Sequence, residues 1–363
     1  MTIKASGTFL KFSEIAAEFG YPTNNKFGNY RNTTNETGWD LGNLPLDTGI
    51  PTSGALKFSD FYSKQLNVVV NCYDNNANTD YHVNARDEWE NNNVIVVGDT
   101  NGTKKDANSK VIIHVNKEIG SASGGYSADT AGKETQRGKC ALRTGTDWDS
   151  TTKMVIDLGD SARLRGAGGG GGKGNKPNDS DGDNAAPTAM NGKEGTSALG
   201  IQFGTNSNKT VINVNSSAVI RAGYGGGGGG GGSYFDEGKG GGHPYPGTGG
   251  GGGAGWPVGA GGARGSGVFG DGANASSGSA GTKTAGGAGG DPGNSAAKKG
   301  GDGGDVDGNS QSGANGSGSA GSSTGGSGGG NGTALRSTGA SNTYTLNNSG
   351  TMTGGIKNSG DVS

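Results

Sequence analysis

The sequence predicts a mainly β protein whose glycine-rich half is held together by its backbone rather than by a side-chain core. Three observations carry that reading. The 363 residues include 82 glycines, clustered rather than spread. Short β-branched runs bounded by Asn, Asp and Gly occupy the middle of the chain. A strand–corner–strand unit recurs around the glycine runs. The expected architecture is a small N-terminal α+β module, a β-sandwich or short β-solenoid, and a bundle of glycine-rich polyproline-II strands. The expected segments are 1–66 for the module, 67–153 for a β domain, and 154–222 for stacked strands with a first glycine-rich excursion. Residues 223–340 then form the bundle with its variable loops, and 341–363 the C-terminal strands.

The first 66 residues have ordinary composition and contain a duplication. Leu10-Lys11-Phe12-Ser13-Glu14-Ile15 recurs as Leu56-Lys57-Phe58-Ser59-Asp60-Phe61. Ser13 with Glu14, Ala16 and Ala17 suits a short helix with a serine cap, and Ser59-Asp60-Phe61-Tyr62 a similar helical turn.

From Asn67 onward short apolar runs take over: Val68-Val69-Val70, Val94-Ile95-Val96-Val97 and Val111-Ile112-Ile113-His114-Val115. The repeat begins at Val155-Ile156-Asp157-Leu158 and continues through Leu164-Arg165-Gly166 into a run of five glycines. At an offset of 56, Val211-Ile212-Asn213-Val214 continues through Ile220-Arg221-Ala222 into the octaglycine Gly225–Gly232. A third copy, Thr343-Tyr344-Thr345-Leu346 to Gly354, lies at an offset of 188. Such copies are expected to stack as adjacent parallel rungs, with Ile156, Ile212 and Tyr344 facing one side and the glycine segments leaving as excursions.

Between Arg221 and Gly330 there are 48 glycines in 110 residues and nine large apolar side chains. Burying one such side chain contributes roughly 1.5–3 kcal/mol. Ordering each residue costs about 1–2 kcal/mol, most of all for glycine. Nine side chains therefore cannot hold 110 residues. The segment is either a flexible tether or a packing of glycine strands close enough to exchange backbone hydrogen bonds. Collagen is excluded, because nine prolines and no Gly-X-Y period do not make a triple helix. Discrete patches between the runs, such as Ser233-Tyr234-Phe235-Asp236-Glu237 and His243-Pro244-Tyr245-Pro246, favour order over a tether.

A formal charge of -2 and a pI near 6.0 give no reason to expect nucleic acid as a partner. Mean hydropathy is -0.62, and no apolar run is long enough to span a bilayer. The start of the chain lacks the apolar core of a secretory signal, so synthesis in a cytoplasm is expected. Cys72 and Cys140 either pair once or stand as inert thiols. Lys173 follows five glycines, but Ala167 and Gly174 break the phosphate-loop pattern. Asp179, Asp181 and Asp183 imitate half of a calcium loop whose closing position holds Met190. No Ser/His/Asp set or carboxylate pair stands out. No catalysis, cofactor or metal is expected.

Glycine runs alternating with aromatic loops resemble the glycine-rich tip adhesins on long tail fibres of tailed bacteriophages, and the strand motif that launches each run is similar to glycine-rich ends of other phage tail fibres. The N-terminal pair, Leu10 to Ile15 and Ile50 to Tyr62, looks like a module recurring near the start of phage tail proteins. The resemblance implies a virion tail protein that is oligomeric in the particle. It would attach to other tail or fibre proteins through the N-terminal module, with Leu10, Phe12, Leu56, Phe58 and Phe61 as its residues. It would bind a bacterial outer-surface protein or polysaccharide through loops at the glycine-rich end. The candidate receptor-binding residues are Tyr234, Phe235, His243, Tyr245, Trp256 and Phe269, because aromatic side chains offer large contact area at little rotamer cost. Two other roles fit the same composition: an internal tail connector without receptor contact, and an ice-binding polyglycine protein.

Overall fold

A computed structural model describes residues 3–19, 27–30, 50–51, 53–64, 67–72, 83–90, 94–96, 109–121, 139–175, 190–235, 243–265, 275–292, 298–306, 321–322, 324–339, 343–358 and 362. It is mainly β, with parallel sheets.

In the N-terminal module, helix α1 (Phe12–Phe19) starts one residue before Ser13. The cap is not a serine. Lys11 N–H donates to Glu14 Oε2 at 2.7 Å, and Lys57 N–H donates to Asp60 Oδ2 at 2.7 Å. The acid at the end of Leu-Lys-Phe-Ser-acid thus turns back onto the first amide in both copies, the side-chain half of a capping box. The hydrogen bond from Lys11, helped by Lys4, holds the Glu14 carboxyl below its usual range. The two copies are tied together: Ile3 N–H donates to Lys64 O, Ser63 N–H to Lys4 O, and Tyr62 Oη to Thr8 O at 2.6 Å. Phe27 stacks on Phe58 with centroids 5.0 Å apart and also packs on Phe12 and Phe61.

The β region opens with β1 (Asn67–Asn71), β2 (Val83–Asn84), helix α2 (Ala85–Glu90) and β3 (Val94–Val96). The chain then follows one itinerary through three sheets, coil after coil. The first coil is β4 (Lys110–Val115), β5 (Glu118–Gly120) and β6 (Cys140–Arg143). The second is β7 (Lys153–Leu158), β8 (Arg163–Arg165) and β9 (Ser197–Ile201). The third begins with β10 (Thr210–Val214) and β11 (Val219–Arg221). The chain then leaves through the glycine-rich segment, which carries β12 (Ser233–Phe235), β13 (His243–Tyr245) and β14 (Gly321–Ser322). It returns as β15 (Leu335–Ser337) and closes with β16 (Tyr344–Asn348), β17 (Thr351–Thr353) and β18 (Ile356–Lys357).

The sheets run β16-β10-β7-β4-β1-β3, β17-β11-β8-β5 and β18-β15-β9-β6-β2, parallel except where β3 pairs with β1. That order is a three-faced solenoid rather than a sandwich. Segments 67–153, 154–222 and 341–363 supply strands to the same sheets, so the expected divisions between them fall inside one stack.

Each face contributes an apolar ladder to the interior. Val70, Ile113, Ile156, Ile212 and Leu346 stand in register on the first sheet; Ile119, Leu164, Ile220 and Met352 on the second; Leu142, Leu199, Leu335 and Ile356 on the third. The members in the first three coils are 0–1% exposed, whereas Ile356 in the last is 47% exposed. Leu346, not Tyr344, is the partner of Ile212, and Tyr344 sits opposite Thr210. The reason is corner length. Gly159–Ala162 and Asn215–Ala218 separate the first two strand pairs, but only Ser349–Gly350 separates β16 from β17. An alignment that matches the second strands therefore misplaces the first by two. A shift of two keeps Tyr344 on the expected side.

Cys72 and Cys140 are buried thiols rather than a disulfide. Burial pushes the Cys140 thiol up to about 12.

The glycine segments are joined by backbone hydrogen bonds that recur every third residue. In residues 166–175, the amides of Gly169, Gly172 and Asn175 donate to Tyr224, Gly227 and Gly230. Those of Gly168, Gly171 and Gly174 donate to Pro257, Ala260 and Ala263. Lys193 and Met190 donate to Gly170 and Lys173 on the remaining side. Three residues per turn is the repeat of a polyproline-II strand, so each third of the residues addresses a different neighbour. At most of these glycines a side chain would not fit. A Cβ on Gly228 would lie 1.9 Å from Gly326 O, and one on Gly172 2.0 Å from Met190 O.

Candidate functional site

The direction of each glycine strand fixes which loops lie together. Residues 223–232 leave the solenoid from Arg221, and residues 247–254 run back beside them: Tyr224, Gly227 and Gly230 donate to Ala254, Gly251 and Thr248 at 2.8–2.9 Å. The hairpin between these two passes therefore sits at the end far from the solenoid. There β12 pairs with β13, placing Ser233 opposite Tyr245, Tyr234 opposite Pro244 and Phe235 opposite His243. Strand β14 adds to the other edge of β12, with Ser233 opposite Ser322. Four of the six candidate residues, Tyr234, Phe235, His243 and Tyr245, share this small antiparallel sheet.

Trp256 does not join them. It ends the returning pass, at the solenoid, where its N–H donates to Gly166 O at 2.8 Å and its carbonyl accepts from Ser121. Lys283 Nζ stands 4.1 Å above its ring and 2.6 Å from Glu118 Oε2, whose other oxygen accepts from Arg165 Nε at 2.7 Å. The loop base is thus pinned to β5 and β8 by a cation over an aromatic face and a carboxylate shared by two cations. Phe269 lies outside the described residues. So do Asp179, Asp181 and Asp183, the calcium-like stretch.

In the N-terminal module Leu10 and Phe61 are buried at 4% and 0% exposure, and Phe12 and Leu56 are packed against the core. Phe58 is 42% exposed. Sequence reasoning passed over Phe9, which is 80% exposed. The signal available was the adjacent apolar pair Phe9-Leu10, of which an extended chain buries only one on a given face. Among the described residues, no group of three His, Cys, Asp or Glu side chains could hold a metal ion.

No protein-family model matches the chain, and no curated protein matches it. Among solved structures the chain is similar to the crystal structure of the adhesin tip complex of the bacteriophage S16 long tail fibre. The two share 20% identity over 98% of this chain and 99% of that one, with a TM-score of 0.39. A superposition that loose does not establish a common fold.

Proposed function

We propose that the chain is a structural protein of a bacteriophage tail, a fibre or tail-tip adhesin that binds a host cell-surface receptor and turns nothing over. The observation that carries the reading is the far-end hairpin. Long glycine strands, bonded through their backbones, hold a small sheet away from the solenoid, and that sheet carries Tyr234, Phe235, His243 and Tyr245. Binding energy at interfaces concentrates in a few aromatic anchors, and the Gly and Ser around these residues offer little area. The receptor is a bacterial outer-surface protein or a polysaccharide, since Tyr and Phe serve both kinds of contact. Trp256 is assigned an anchoring role at the bundle base. The N-terminal module attaches the chain to other tail proteins.

The test replaces Tyr234, Phe235 and Tyr245 together with Ser and compares phage adsorption with the thermal melt of the isolated protein. Adsorption is expected to fall at least a hundredfold with the melt unchanged. Normal adsorption would make the chain an internal tail connector.

A further inference from the structure

Among its described residues, the N-terminal module carries one large apolar side chain that its own packing does not use. Phe9 is 80% exposed, although Leu10 beside it is 4% exposed and sits in the core. The turn that presents Phe9 is fixed on both sides. Thr8 Oγ1 donates to Ala5 O at 3.2 Å, and Thr8 O accepts from Tyr62 Oη at 2.6 Å. Lys4 O accepts from Ser63 N–H, and Lys4 Nζ lies 2.9 Å from Glu14. Gly7, at φ +99°, lets the chain reverse without strain. A phenyl ring held in water by a fixed turn stabilises nothing inside the protein, and a preorganised aromatic suits a binding anchor.

The surrounding charges say what kind of surface it meets. Glu14 and Asp60 are both turned onto backbone amides, whereas Lys11 and Lys57, equivalent in the two copies, are exposed. We propose that residues 5–9 form a docking knob, with Phe9 as its anchor, for an apolar pocket rimmed by carboxylates on another tail protein. This rests on the tail reading above.

The test assembles particles in cells that supply the full chain as wild type, Phe9→Asp, Phe9→Leu or Lys11→Glu, and counts copies per purified particle. Phe9→Asp is expected to melt as wild type and to reduce incorporation at least tenfold. Phe9→Leu keeps it within about twofold, and Lys11→Glu lowers it severalfold. Wild-type incorporation of Phe9→Asp would overturn the proposal while leaving the tail reading intact. Absence of the wild-type chain from particles would overturn both. If the isolated wild-type protein is a dimer that Phe9→Asp makes monomeric, the knob's occupant is a second copy of this chain, and the proposal fails.

Discussion

The solenoid and the glycine bundle are two solutions to one problem, that of ordering a chain in water. In the solenoid, Ile113, Ile156 and Ile212 stack at no exposure, and burial of apolar surface offsets the entropy of three short strands per coil. In the bundle most interior positions are glycine. Residues 223–230 exchange backbone hydrogen bonds with residues 166–175, 190–196, 248–254, 301–304 and 326–332. Close approach replaces burial as the source of order. The teaching of the contrast is that the two regions should fail by opposite substitutions: the solenoid when a side chain loses its apolar character, the bundle when a side chain appears at a glycine packed against a neighbouring backbone.

The largest effect is expected from Ile212→Asp, which places a carboxylate inside a ladder with no partner. A loss of about 5 kcal/mol, enough to unfold the protein, should appear in a urea titration. Gly228→Val comes next, at upwards of about 3 kcal/mol, because the atoms its Cβ meets are backbone and cannot swing aside. Limited proteolysis should then cut within residues 222–334 while the solenoid strands survive. A pH experiment separates the regions further. Burial raises the Cys140 thiol from 9.0 to about 12, so its contribution is whole below pH 9 and is lost as pH rises toward 12. From pH 8 to 10.5 the wild type should lose about 2 kcal/mol more than Cys140→Ala. The smallest effect is expected from Gly170→Ala. Its Cβ would meet the flexible Cδ of Lys193 at 3.3 Å and Ala260 O at an ordinary contact distance of 3.7 Å, so the change should lie within about 1 kcal/mol of neutral, or stabilise slightly. A bundle that tolerated Gly228→Val as well as Gly170→Ala would break the comparison.

Apart from its third face, whose strands β6, β9 and β15 lie outside the repeated unit, much of the solenoid is legible in the sequence because the Val155, Val211 and Tyr344 units share one pattern. Its register is less so, since the shorter Ser349–Gly350 corner is invisible to an alignment that matches the second strands. The caps at Lys11 and Lys57 were hidden because Ser13 offers the commoner signal, while the acid one position later does the bonding. The bundle is the least legible part. Glycine has no side chain to reveal which strand it faces or which way it runs, so composition suggests strands without ordering them. This is why Trp256 reads as a companion of Tyr234. Tyr234 follows one pass of glycine strand away from the solenoid and Trp256 follows two, which returns it to the base. Counting passes would have separated them.

Amide hydrogen exchange read residue by residue tests the central claim most directly. If backbone bonds order the bundle, the amides of Gly226, Gly227 and Gly229, which donate to Lys193, Gly251 and Met190, should be protected. Their protection should be within about tenfold of the Ile156 and Ile212 amides in the solenoid. Exchange of those glycines at the rate of an unstructured chain, with the solenoid amides still protected, would contradict the account and leave the glycine-rich half a tether.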